Sequence, residues 1–207
     1  MKFALLKTGT AAVAVAGLAL VGAQPALAAT DINYDCQADT PLGTQQVSLT
    51  QTVDASAPAT VAPGGTLDVV VDPAPNQVPS EAAGQTVKEI KTFALKVPVP
   101  ANASLSGVDL SGGSNLGGTP QASASGGIIT ITFPGPIAGG STFELPTITA
   151  HLTAGASGAI ESTLYGTSYD DAGLTFTTVV STFLGDISAP TSCFPNPNPV
   201  LTSTTIA

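Results

Sequence analysis

The sequence predicts an all-β chain, an antiparallel β-sandwich of about nine strands without an internal helix of note, with a closed β-barrel as the alternative architecture. Two observations carry this. Apolar residues alternate with threonine and serine at period two, as in Ile129, Ile131 and Phe133 against Thr130 and Thr132, which describes strands with one buried and one wet face. The 22 glycines and 17 prolines fall between such runs, where they read as turns between short, regularly spaced strands.

Taken in order, Ile32, Tyr34 and Cys36 mark a first strand, and Pro41-Leu42-Gly43 turns the chain. Val47, Leu49 and Val53 share a parity, so Thr44 to Val53 is the second strand. Ala55 to Pro63 reads as an extended edge, and Leu67, Val69 and Val71 give a strand over Thr66 to Asp72. Pro73 to Gly84 is a proline-rich loop with one helical turn near Ser80–Ala83. Phe93, Leu95, Val97 and Val99 form one face of the next strand, whose Pro98 and Pro100 place its end at an edge. A parity change between Leu105 and Val108 predicts a bulge near Gly107.

Ser111 to Gly127 is Gly/Ser-rich and expected to be the longest and most mobile loop. Ile128–Phe133 and Phe143–Leu152 are expected to pair as a central hairpin, kinked at Pro146. A second hairpin is expected over Ile160–Thr182, with Leu164 opposite Val180 and Gly173 supplying the left-handed residue of a three-residue loop. Its outward Tyr165 and Tyr169, beside Asp170 and Asp171, form a candidate contact patch. Asp186 to Asn198 reads as irregular, and Val200 to Ile206 as a last strand.

The N-terminus carries Lys2 and Lys7, an apolar run over Ala11–Val21 and a small-x-small site at Ala26-Leu27-Ala28. These read as a signal peptide over residues 1–28, leaving one secreted domain over 29–207 without a transmembrane anchor. Cleavage leaves three lysines, no arginine and fourteen acids, a formal charge of −11. That charge disfavours nucleic acid, whose binding needs a basic face. Cys36 and Cys193 stand near the two ends of the mature chain, and in an exported protein such a pair most simply forms one disulfide.

Thr60-Val61-Ala62-Pro63-Gly64-Gly65-Thr66-Leu67-Asp68-Val69 resembles the P-x-x-V-x-P-G-x-T-V-x-V opening of immunoglobulin-like and adhesin-like bacterial modules. Tyr34-Asp35-Cys36 after the signal and Thr191-Ser192-Cys193 before a proline-rich tail give a layout similar to small secreted actinobacterial two-cysteine proteins of unknown function. The resemblance implies an immunoglobulin-like sandwich and no catalytic residues. The cysteine positions and the lack of tryptophan depart from antibody-type domains.

Little chemistry is legible. His151, the single histidine, has the outward parity of its threonine neighbours. No Gly-x-Ser-x-Gly elbow or phosphate-binding glycine pattern occurs. Asp31-Ile32-Asn33-Tyr34-Asp35 has the acid spacing of a calcium loop, but Cys36 and Leu42 stand where the turn glycine and closing glutamate belong. No metal or cofactor is expected. The sequence therefore favours a non-catalytic binding or structural module of the cell envelope, contacting a protein or glycan. A secreted hydrolase on a β-scaffold is the alternative.

Overall fold

The structure, a computed structural model, describes residues 29–41, 43–82, 84–183 and 185–207, and the predicted signal segment lies outside them. Its strands are β1 (Thr30–Thr40), β2 (Gly43–Ser56), β3 (Thr60–Val61), β4 (Thr66–Pro73), β5 (Asn76–Gln77) and β6 (Glu81–Ala82). Then come β7 (Gln85–Pro98), β8 (Ala103–Ser111), β9 (Gln121–Ser125), β10 (Ile128–Phe133), β11 (Ile137–Ala138) and β12 (Thr142–Phe143). The chain ends with β13 (Thr147–Ala154), β14 (Gly158–Ser162), β15 (Leu174–Thr182), β16 (Gly185–Pro195) and β17 (Thr202–Ile206). The described residues are all-β and contain no helix, as the alternation predicts.

One antiparallel sheet dominates, in the order β8-β13-β4-β2-β1-β16-β15-β7-β10-β9, with β6 and β11 also paired to β7. It curls until its first and last strands, β8 and β9, lie near each other, so it is nearly a barrel. Small sheets β14-β17-β3 and β12-β5 accompany it. At the middle of the order β1 and β16 meet, and there Cys36 pairs with Cys193 in register. Their Cα atoms are 4.1 Å apart and their sulfurs are bonded, well inside the roughly 7 Å that a disulfide can bridge.

Three bulges bend the sheet. On β7, Lys88 and a residue at Thr92–Phe93 are extra relative to β15, and Thr92 takes φ 52°. These shifts let Val87, Ile90 and Phe93 all face the interior, which a strict period of two does not allow. On β8, Ser106 is skipped between the partners of His151 and Leu152, beside Gly107 where the parity change predicts it. Phe93 stacks on Phe133 with ring centroids 4.5 Å apart.

Several pairings differ from expectation. Ile128–Phe133 pairs with β7 and β9, while Thr147–Ala154 pairs with β4 and β8, so the central hairpin does not form. Pro134-Gly135-Pro136 does not turn the chain back: after it β11 goes on along β7, with Ile137 opposite Ile90, in the direction β10 took. Gly158–Ser162 pairs with β17, and Val180 pairs with Ile187 and Val87, so the Ile160–Thr182 hairpin is absent as well. Leu164 to Gly173 is a loop tied by Asp171, which receives Tyr165 Oη at 2.8 Å and whose N–H donates to Ser168 Oγ at 3.1 Å. Gly173 does not have positive φ; a Cβ there would collide with the Tyr165 carbonyl, so close backbone approach demands the glycine.

The expected helical turn is a tight strand pair, with Glu81 opposite Thr86 and Ala82 opposite Gln85. Asp186–Asn198 is largely strand β16. The Ser111–Gly127 segment contains β9 and buries Leu116; Ser114 and Glu144 exchange backbone hydrogen bonds of 2.9 and 3.0 Å. A Cβ at Gly117 or Gly118 would strike Pro134–Pro136, so these glycines serve packing.

Candidate functional site

The barrel encloses a cavity of about 960 Å³, at the upper end of the range of roughly 300–1,000 Å³ typical of small-molecule sites. Nine strands of the curled sheet contribute to its wall, among them β2 with Val47 and Leu49, β13 with Ile148, and β15 with Phe176 and Val180. Inward parity puts these side chains there, yet Val47, Leu49, Phe176 and Val180 remain only partly buried. They pack against the buried core beside them, Phe176 stacking on Phe93 with ring centroids 6.5 Å apart, and border the open space inside the barrel.

The two ends differ. Thr40 and Pro41 at the end of β1, Glu81 and Ala82 of β6, and Thr182 and Phe183 at the end of β15 line one end. Antiparallel pairing of β1 with β16 and of β15 with β7 brings these tips to the same rim. Phe183 is 95% exposed there, which marks the mouth. At the far end Leu164 and Leu201 form a floor, held by hydrogen bonds from Leu201 N–H to the Ser162 carbonyl (2.8 Å) and from Asn198 Nδ2 to the Leu164 carbonyl (2.7 Å).

Polar side chains on the wall are few and mostly engaged. Gln51 Nε2 donates to the Ala74 carbonyl at 2.7 Å, and Asn76 Nδ2 donates to Gln51 Oε1 at 3.0 Å. Thr178 and Thr191 hydroxyls lie 3.3 Å apart, and Thr202 Oγ1 donates to Ser162 Oγ at 2.8 Å. Glu81 and Tyr34 are the only ionisable side chains on the described wall. Burial pushes the Tyr34 phenol pKa far up, so it stays protonated.

On the outer surface His151 lies across three adjacent strands, with Nδ1 at 2.7 Å from Asp68 and Nε2 at 3.0 Å from Asp109. The hydrogen bond to Asp109, then that to Asp68, raises its pKa. Its outward direction agrees with its parity, while its two carboxylate partners come from β4 and β8, which sequence distance hides. In the expected contact patch, Tyr165 donates to Asp171 and lies under Lys96 Nζ at 5.2 Å from the ring centroid. Tyr169 packs edge-on against Phe194 at 5.2 Å, and Asp170 is exposed. Both tyrosines are half-buried. No group of His, Cys, Asp and Glu with metal-binding geometry occurs among the described residues.

The facing pattern is the reverse of a bilayer-spanning barrel, in which lipid-facing residues are apolar and the lumen is polar. On β1, Asp31, Asn33 and Asp35 face away from the interior, while Ile32, Tyr34 and Cys36 are buried. No helix among the described residues is long and apolar enough to cross a membrane.

No family model matches the chain, and no curated protein does. Among solved structures it is similar to a crystal structure from Corynebacterium diphtheriae described as a membrane-anchored protein, with a TM-score of 0.58 and 18% identity. The match covers 86% of this chain and 37% of that one, so this chain spans little more than a third of its neighbour. At that identity the likeness concerns the fold.

Proposed function

We propose that this chain is an extracytoplasmic, non-catalytic module of an actinobacterial cell envelope that holds an apolar small molecule inside its barrel. The cavity carries the reading. A hollow of about 960 Å³ walled by aliphatic and aromatic side chains forgoes the close packing normal in protein interiors, a cost that an apolar occupant offsets. The described wall offers no acid–base pair and no nucleophile beside a base, which favours binding over hydrolysis. The disulfide suits an oxidising compartment, and the neighbour's description as membrane-anchored supports a place in the envelope. The Tyr169–Asp170 loop is proposed as a secondary surface for contact with an envelope protein or glycan.

The test is titration with a neutral apolar dye whose emission rises on leaving water, N-phenyl-1-naphthylamine. Saturable binding at one site per chain is expected. Val180→Phe, which fills space in the wall, should weaken it at least tenfold while the protein stays folded. Absence of saturable binding, or binding indifferent to Val180→Phe, would overturn the proposal.

A further inference from the structure

We infer that the cavity's ligand is an uncharged acyl ester, its chain along the apolar wall and its carbonyl oxygen accepting a hydrogen bond from Tyr34 Oη. The inference rests on the cavity-binding reading and narrows it to one chemical class.

Tyr34 is 5% exposed and lies on the cavity wall, on the inner face of β1 between Ile32 and Cys36. Its hydroxyl has no hydrogen-bond partner among the described residues. It is not sealed in, because no buried side-chain oxygen or nitrogen there is both enclosed and unpartnered. The phenol oxygen therefore borders the open space of the cavity. Its apolar neighbours on the wall include Val47 and Leu49 of β2, and Leu49 is its direct cross-strand partner.

Burying a hydroxyl without a partner is costly. Phenylalanine would fill the same position without that cost. The other buried hydroxyls on the wall, of Ser162 and Thr191, are engaged with Thr202 and Thr178. Tyr34 is the exception, and a ligand oxygen would satisfy it. Because burial keeps the phenol protonated, it presents a donor, and its complement is an acceptor.

Charge narrows the class further. The described wall has no lysine, arginine or histidine, so a fatty-acid carboxylate inside the cavity would be an unpaired buried anion. Glu81 stands at the rim, where it disfavours an anionic head as well. A neutral ester supplies a strong acceptor and carries no charge. Gln45, opposite Ala38, and Gln85, opposite Ala82, line the cavity towards its mouth and make no side-chain hydrogen bonds among the described residues, so they are available to polar atoms there, away from Tyr34.

The experiment is dye displacement by three probes of matched length, undecane, methyl decanoate and sodium decanoate, with wild-type protein and Tyr34→Phe. Methyl decanoate should bind about fivefold more tightly than undecane, the ratio that one net hydrogen bond of ordinary strength provides. Decanoate should be the weakest. Tyr34→Phe should bring the ester down to the alkane and leave the alkane unchanged. In wild type the bound ester's carbonyl stretch should move to lower frequency, and in Tyr34→Phe it should not. Failure of every probe to displace the dye would remove the cavity-binding reading itself. Equal affinity for ester and alkane in wild type, a preference that survives Tyr34→Phe, or tightest binding by decanoate would overturn the ester assignment and leave cavity binding standing.

Discussion

Replacing Cys36 and Cys193 together by alanine removes the covalent link at the middle of the sheet. On one side of that seam stand β2, β4, β13 and β8; on the other stand β15, β7, β10 and β9. The cysteines are 157 positions apart, and the chain-entropy model assigns such a closure about 5 kcal/mol of destabilisation of the unfolded chain. Total stabilities of domains run roughly 5–15 kcal/mol, so the loss is a large fraction of the whole. Alanine is the right replacement because both side chains are fully buried and serine would bury unpaired hydroxyls. Urea unfolding of oxidised wild type and of the double variant measures the difference. With a slope near ~2 kcal/mol/M, the midpoint should fall by about 2.5 M. Below the transition the double variant should still bind dye, because backbone pairing from Tyr34–Pro195 to Ala38–Thr191 holds the same register. A midpoint drop under about 0.5 M would refute the reasoning, and would mean that the unfolded chain already holds its ends together.

Two further outcomes follow from the surface and the loops. His151 has a raised pKa in the folded state, through its hydrogen bonds to Asp109 and Asp68; the stabilisation is therefore complete below the ordinary histidine value of 6.5 and is lost as pH rises through the higher folded value. The urea midpoint of wild type should decline over that window and that of His151→Gln should not; a histidine NMR titration midpoint at or below 6.5 would contradict this. Hydrogen exchange at the Ser114 and Glu144 amides, which bond each other's carbonyls, should be slowed well beyond that at the exposed Gly126–Gly127 turn; equal rates would show that the Gly/Ser segment is as loose as its composition implies.

Strands were largely legible in this chain and their partners were not. Ile32, Tyr34 and Cys36, or Leu67, Val69 and Val71, declare a strand through parity alone, and each of these side chains is buried. Parity carries no information about which strand lies alongside, so Ile128–Phe133 and Thr147–Ala154, neighbours in sequence, pair with different strands. Glycine was informative about place and ambiguous about cause. Gly173 has to be glycine, but the Tyr165 carbonyl requires it, not a left-handed turn. Strand β16 was hidden by its short polar residues and by Pro190, which is disfavoured within a sheet. Pro190 pairs with Thr177 and lies beyond Thr191, the last β16 residue paired to β1, so on that flank its missing N–H removes no ladder bond.

The cavity was the least legible feature, for a geometric reason. An inward apolar residue reads identically whether another side chain or empty space stands opposite. Val47, Leu49, Phe176 and Val180 have the parity of core residues, and only the curvature of the sheet decides that they border a hollow and stay partly exposed. That curvature depends on the extra residues at Lys88, Thr92–Phe93 and Ser106, of which the sequence announces one, beside Gly107. The same argument singles out Tyr34. In a packed sandwich its hydroxyl would need a protein partner, and the described residues provide none. In a barrel left hollow, that unpaired donor becomes a feature of the wall, and the chemistry of the occupant can be read from it.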